Sequence, residues 1–170
     1  VSGEPYKMYM IVKSTTTEFW KSVFAGANAA KSEYNVDLTV LGPETEEDYE
    51  AQNEYIRQAI RDGANVIFTT TPPLIGATLR VAARHPGVRM LNCSVDMPYP
   101  DIRTYYGRVY EGKFITGAIA GAMARDGKIG YVGSYPIYGV PASINAFALG
   151  AKMVNPNVQI ELAWSCLPGD

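Results

Sequence analysis

Short apolar runs alternate with helix-length segments along the first 108 residues, and the joints between them are too short to hold anything else. Residues 6–13 form a continuous apolar run, suited to a strand covered on both faces. A polar loop at 14–17 follows and ends in Thr17, a good N-cap residue. Residues 18–34 place Phe19, Val23, Ala27 and Ala30 at helical spacing. Residues 36–41 read as a second strand, broken by Gly42 and Pro43. Thr45 with Glu46, Glu47 and Asp48 marks an acid-rich helix start. That helix carries Tyr49, Gln52, Ile56, Ala59 and Ile60 on one face and stops at Asp62 and Gly63. Strands are predicted at 65–69, 88–93 and 103–108, with a helix at 74–84 between the first two. This order predicts an α/β fold, a doubly wound parallel sheet with right-handed crossovers.

The run 103–133 is a joint. It reads as a strand (103–108), a helix rich in small residues (111–125), a polar turn at Asp126, Gly127 and Lys128, and a buried strand. After it come a helix at 141–155, opened by Pro141 in its first turn, and a strand at 158–164. The pattern divides the chain into a first α/β lobe, 1–126, and the start of a second, 127–170. One βαβ unit cannot bury both faces of its sheet, so the second lobe is expected to continue beyond residue 170. Its exposed half-sheet can pair with another copy by strand addition, which raises the expectation of a homodimer. A joint between two α/β lobes is a natural place for a ligand cleft.

Composition narrows the function classes. The 170 residues are 47% apolar, as in a globular protein, and the net charge is −2. No basic block supports nucleic-acid binding. The longest apolar stretch, 114–124, is too short to span a bilayer. The polar start, Val1 to Pro5, has no apolar core of a signal peptide, as in a mature or trimmed chain. Cys93 and Cys166 follow neither a zinc nor a CxxC spacing, and a disulfide between them is not expected. The single histidine, His85, closes a helix far from the strand carboxyl ends, so a Ser/His/Asp triad has no support. There is no GxSxG elbow and no HExxH motif. Gly127, Gly130 and Gly133 fall within a strand and do not make a dinucleotide loop. Gly117 and Gly121 form a GxxxG expected to seat their helix on the sheet. No catalytic residue, cofactor or metal is expected.

In open α/β sheets, ligands bind outside the carboxyl ends of the strands. That rule selects Ser14, Thr16, Phe19 and Trp20 after strand one, Thr70 after strand three and Asp96 after strand four. In the second lobe it selects Tyr135, Tyr138 and Asn145. Hydroxyls and an acid bond sugar hydroxyls, and the aromatics stack on a flat ring. Each aromatic could equally be core. Asp96 could be a turn residue before Pro98. The acids from Glu44 to Glu50 read as a solvated helix start rather than a metal site.

Two resemblances agree with this reading. YMIVKSTTTEFWKSVFAGANAAKSEYNVDLTVLGPE, with QAIRDGANVIFTTTP, resembles the first lobe of type I periplasmic binding proteins, which include ribose-type sugar binders and LacI-type effector domains. HPGVRML, YYGRVYEGKFITGAIAGAMARDGKIGYVGSYPI and INAFALGAKMVNPNVQIELAW are more specific. They resemble the basic membrane protein (BMP) family, the PnrA-like nucleoside-binding lipoproteins of ABC importers. The chain departs from that pattern after strand one, where Ser14 to Thr17 replace an Asn-Asp-type pair. The first resemblance implies ligand contacts by the aromatic pair Phe19 and Trp20 and by Asp96. Together the two imply an extracytoplasmic, lipid-anchored solute-binding protein, which closes on a nucleoside or sugar-like molecule and delivers it to an ABC permease. The alternative is a ligand-sensing domain of a LacI-like regulator or signalling receptor, cytoplasmic in the regulator case.

Overall fold

A computed structural model describes residues 6–93, 99–137 and 139–166. Contacts divide the chain into two compact units, Val1–Tyr106 and Gly107–Asp170.

The first unit is a five-stranded sheet, all of whose pairs are parallel. Its strands are β1 (Lys7–Ile11), β2 (Asp37–Leu41), β3 (Val66–Thr69), β4 (Arg89–Cys93) and β5 (Ile102–Tyr105), in spatial order β2-β1-β3-β4-β5. The connecting helices are α1 (Glu18–Tyr34), α2 (Tyr49–Arg61) and α3 (Ile75–Arg84), the last entered through a single 3-10 turn at Pro72–Leu74. The α/β architecture and the parallel sheet are those the sequence pattern predicts.

Period-two alternation decides which face of the sheet carries the core. Tyr9 and Ile11 of β1, Ile67 of β3, Met90 of β4 and Ile102 of β5 are buried together with Ile56 and Ala59 of α2 and Ala82 of α3. Burying a side chain such as Ile11, Ile56 or Ile67 fully is worth about 1.5–3 kcal/mol. The alternate residues Met8, Met10, Phe68 and Leu91 are only half-buried. The apolar run of residues 6–13 is therefore covered far more on one face than on the other.

Local chemistry sets the helix ends. The residue Asn35 closes α1 in the left-handed region (φ 49), which asparagine tolerates better than most residues. Gly63 does the same after α2 (φ 79). α2 starts at Tyr49, later than the acid-rich start expected near Thr45, because Asp48 is the cap: the Ala51 N–H donates to its Oδ1 over 3.0 Å. Thr17 occupies the N-cap of α1 with extended backbone but makes no side-chain capping bond.

The second unit contains α4 (Val109–Met123), β6 (Lys128–Gly133), α5 (Val140–Val154) and β7 (Gln159–Trp164). β6 and β7 pair in parallel, with Ile129 opposite Ile160 and Gly133 opposite Trp164. Small residues bring α4 and α5 into backbone contact. A Cβ on Gly117 would strike the Phe147 carbonyl, one on Gly121 the Ala151 carbonyl, and one on Gly150 the Phe114 carbonyl. The GxxxG of α4 thus seats a helix on a helix, not on the sheet as expected. This contact also explains why α4 groups with residues 107–170, whereas the sequence reading ends the first lobe at residue 126. The rings of Tyr131 and Phe147 meet edge to face at 4.9 Å and tie α5 to β6.

Candidate functional site

The carboxyl ends of β1 and β3 hold a hydroxyl-rich rim in the first unit. Ser14 is fully buried and its Oγ donates to the Glu44 carbonyl at 3.0 Å. Thr16 Oγ1 donates to the same carbonyl at 2.8 Å, and the Thr16 N–H donates to Ser14 Oγ at 3.2 Å. Thr70 Oγ1 donates to the Ile11 carbonyl at 3.0 Å. These hydroxyls spend their protons on the backbone. They fix the loops after β1 and β3 and keep lone pairs as acceptors.

Phe19 and Trp20 are adjacent in sequence and opposite in fate. Trp20 is 4% exposed, whereas Phe19 is 68% exposed. Successive positions on a helix lie about 100° apart, so one turns inward and the next outward. The buried stripe of α1 therefore begins at Trp20, not at Phe19. The two rings meet edge to face, 5.0 Å apart with an interplanar angle of 84°. Phe19 thus presents its ring to solvent on a fixed support.

Trp20 is held by charge. Its Nε1–H donates to Glu46 Oε1 at 3.0 Å, and the other carboxylate oxygen of Glu46 takes Lys13 Nζ at 2.9 Å. The Lys13 side chain is 11% exposed and that of Glu46 is 34% exposed. The hydrogen bond from Lys13, opposed by burial and helped by Trp20, holds the Glu46 carboxyl below the ordinary value of 4.5. Gln52 of α2, fully buried, closes the group: its Nε2 donates to the carbonyls of Lys13 (3.2 Å) and Glu46 (2.9 Å). The acids after β2 are thus not all solvated. Glu46 joins the loop after β1 to the start of α2.

A second polar knot sits behind the loop after β3. Asn92 of β4 is fully buried and donates from Nδ2 to Thr69 Oγ1 (2.7 Å) and to the Thr71 carbonyl (3.0 Å). Thr69 and Thr78 share a hydroxyl bond of 3.0 Å, and Thr78 Oγ1 donates to the Leu74 carbonyl at 2.7 Å. This network sets the position of the loop that carries Thr70.

Sequence reasoning marks Ser14, Thr16, Phe19, Trp20 and Thr70, and these belong to the loops and helix start described above. It overlooks Asn92 and discounts Glu46. The only available signal was a polar residue inside an apolar strand at Asn92, and a polar residue on the apolar face of α2 at Gln52. Asp96 and Tyr138 lie outside the described residues. In the second unit, Tyr135 is half-buried after β6 and Asn145 is exposed on α5. A concavity of about 800 Å³ in the first unit lies toward the other end of the sheet. It is lined by Tyr6, Met8, Val66 and Arg89 near the strand starts, away from the residues that the sequence rule selects.

Among the described residues there is no group of three His, Cys, Asp or Glu side chains placed to hold a metal. No described helix is long and apolar enough to cross a membrane. Cys93 and Cys166 are both free, and burial pushes the Cys93 thiol up, away from its reactive form.

Known proteins resemble this chain in sequence and fold. A purine-binding protein of Brucella abortus is 35% identical over 109 residues, which cover 64% of this chain and 31% of that protein. Basic membrane protein A2 of Borrelia garinii is 28% identical over 167 residues, 94% of this chain and 48% of that protein. This chain therefore spans less than half the length of both relatives. Among solved structures, a carbohydrate transporter solute-binding protein of Agrobacterium radiobacter, in complex with D-arabinose, superposes with a TM-score of 0.70 at 19% identity. That match covers 96% of this chain and 58% of that one, and it establishes the type I periplasmic binding protein fold. Residues 9–165 match the Bmp family, described as ABC transporter substrate-binding protein PnrA-like, and the chain belongs to that family.

Proposed function

We propose that this chain is the ligand-binding part of an extracytoplasmic, lipid-anchored solute-binding protein of an ABC importer, and that its ligand is a purine nucleoside. The observation that carries the reading is the exposed ring of Phe19, supported edge-on by buried Trp20 at the carboxyl end of β1. Single exposed aromatics are common on protein surfaces, but one braced edge-on by a buried neighbour at the carboxyl end of β1 offers a fixed face on which a flat base stacks. The hydroxyl rim at Thr16 and Thr70 suits ribose hydroxyls, as acceptors rather than donors. Asp96, Tyr135, Tyr138 and Asn145 are the further contacts expected from their sequence positions. The family and the purine-binding relative favour a nucleoside over a free sugar. The ligand is bound and released unchanged, and an ABC permease receives it.

A thermal-shift series with purine nucleosides, pentoses and hexoses tests this, because a ligand of the native state raises the melting temperature. A shift with nucleosides supports the reading. A shift with sugars alone moves the assignment to a sugar, and a shift with neither class contradicts it.

A further inference from the structure

In the first unit, helices that join parallel strands run antiparallel to them, so the carboxyl ends of α2 and α3 lie at the amino end of the sheet. There the two helices border a groove of about 360 Å³. Its rim is Arg57, Arg61, Arg80, Arg84 and His85, its floor includes Ile60 and Val81, and none of the described residues lining it carries a carboxylate. Glu54 bonds Arg57 Nε and Arg61 Nη2, each at 2.7 Å. Arg80 and Arg84 have no ion-pair or hydrogen-bond partner among the described residues. Lys7, Arg89 and Arg103, at or near the starts of β1, β4 and β5, add to the same end. With Lys31 in the last turn of α1 these make eight cations, against which the described acids there are Glu33, Asp37, Glu54, Asp62 and Asp101. At the opposite end, Glu44, Glu46, Glu47, Asp48 and Glu50 precede or open α2. The unit is electrically polarised along its strands, inside a chain whose net charge is only −2.

Cations at helix ends offset the macrodipole, but that needs one charge per helix, not two arginines on each beside three more at the strand starts. Guanidinium groups bind phosphate in a bidentate fork, and an apolar floor accommodates the glycerol and upper acyl region beside it. From this charge complementarity we propose that the α2/α3 groove is a docking surface for the phosphates of an anionic lipid bilayer. The choice of a bilayer over other polyanions rests on the importer reading, which places the protein at a membrane. Docking by this end leaves the Phe19 end of the sheet free for ligand.

The test is co-sedimentation of the chain with phosphatidylcholine vesicles, with and without phosphatidylglycerol, at low and high salt. Binding is expected only with phosphatidylglycerol and only at low salt, because the attraction decays within a Debye length. The double variant Arg80→Gln/Arg84→Gln should lower partitioning about thirtyfold, roughly fivefold per cation, while keeping a cooperative melting transition. Absence of binding to phosphatidylglycerol vesicles overturns the proposal, as does equal binding by the variant. Retention of an RNA homopolymer without vesicle binding also overturns it. So does a melting-temperature rise with inorganic phosphate and no vesicle binding, which would make the groove a small-anion site. The nucleoside thermal shift, measured on the same preparations, separates the two readings: its loss with vesicle binding intact removes the ligand assignment alone.

Discussion

The indole N–H of Trp20 reaches the carboxylate of Glu46 across 3.0 Å and 26 positions of sequence. This bond joins the first turn of α1 to the loop that opens α2, and through Lys13 it reaches the end of β1. Three chain segments at the carboxyl end of the sheet are thereby held by one carboxylate. Glu46→Gln keeps the side-chain shape and removes the charge. It should lower stability by about 1–2 kcal/mol, as expected for hydrogen bonds to a charged group, moderated by the partial exposure of Glu46. Chemical denaturation at neutral pH measures it.

The same group gives a pH dependence with a defined sign. Lys13 holds the folded-state pKa of Glu46 below its ordinary 4.5. A depressed carboxyl stabilises the fold above its unfolded value and loses that contribution as pH falls through its folded value. The stability gap between the parent and Glu46→Gln should persist at neutral pH. It should narrow below the ordinary glutamate range and close once the pH passes the lower folded value. Melting curves across an acid series check this, and a gap independent of pH would mean the carboxylate charge is not what holds Trp20.

Gly150 and Gly112 give opposite expectations for the same substitution. A Cβ at Gly150 meets the Phe114 carbonyl, whereas one at Gly112 meets nothing within 4 Å. Gly150→Ala must push α4 and α5 apart and should cost about 1–3 kcal/mol or more. Gly112→Ala should stabilise by about 0.4–1 kcal/mol by restricting the unfolded chain. Denaturation midpoints of the two variants make the comparison.

Asn92→Ala removes the donor that binds Thr69 and the Thr71 carbonyl inside the sheet. The loss should be about 1–3 kcal/mol, the cost of leaving buried acceptors unmet. Because the loop it holds carries Thr70, ligand affinity should fall with it, and titration calorimetry beside denaturation reads both.

How far these features could be read from the sequence depends on their physical origin. α1 was legible to the residue, 18–34, because a polar loop precedes it and Asn35 follows it. The parallel order of strands came from alternation and short joints alone. The inward turn of Trp20 and the outward turn of Phe19 were not legible, because adjacent aromatics both fit a helical period when its phase is unknown. Asn92 was hidden because its partners, Thr69 and Thr71, lie more than twenty positions away. The position of α4 depended on which surface accepts Gly117 and Gly121, and spacing does not distinguish a sheet from a helix such as α5.

The most direct test of the ligand assignment is calorimetric titration of the parent and Phe19→Ala with a purine nucleoside. Phe19 is mostly exposed, so its truncation should leave stability nearly unchanged. Saturable binding by the parent, weakened at least about fivefold in Phe19→Ala by loss of about 1–3 kcal/mol of base stacking, is the expected result. Equal binding by the two proteins, or no binding by the parent, would contradict the account.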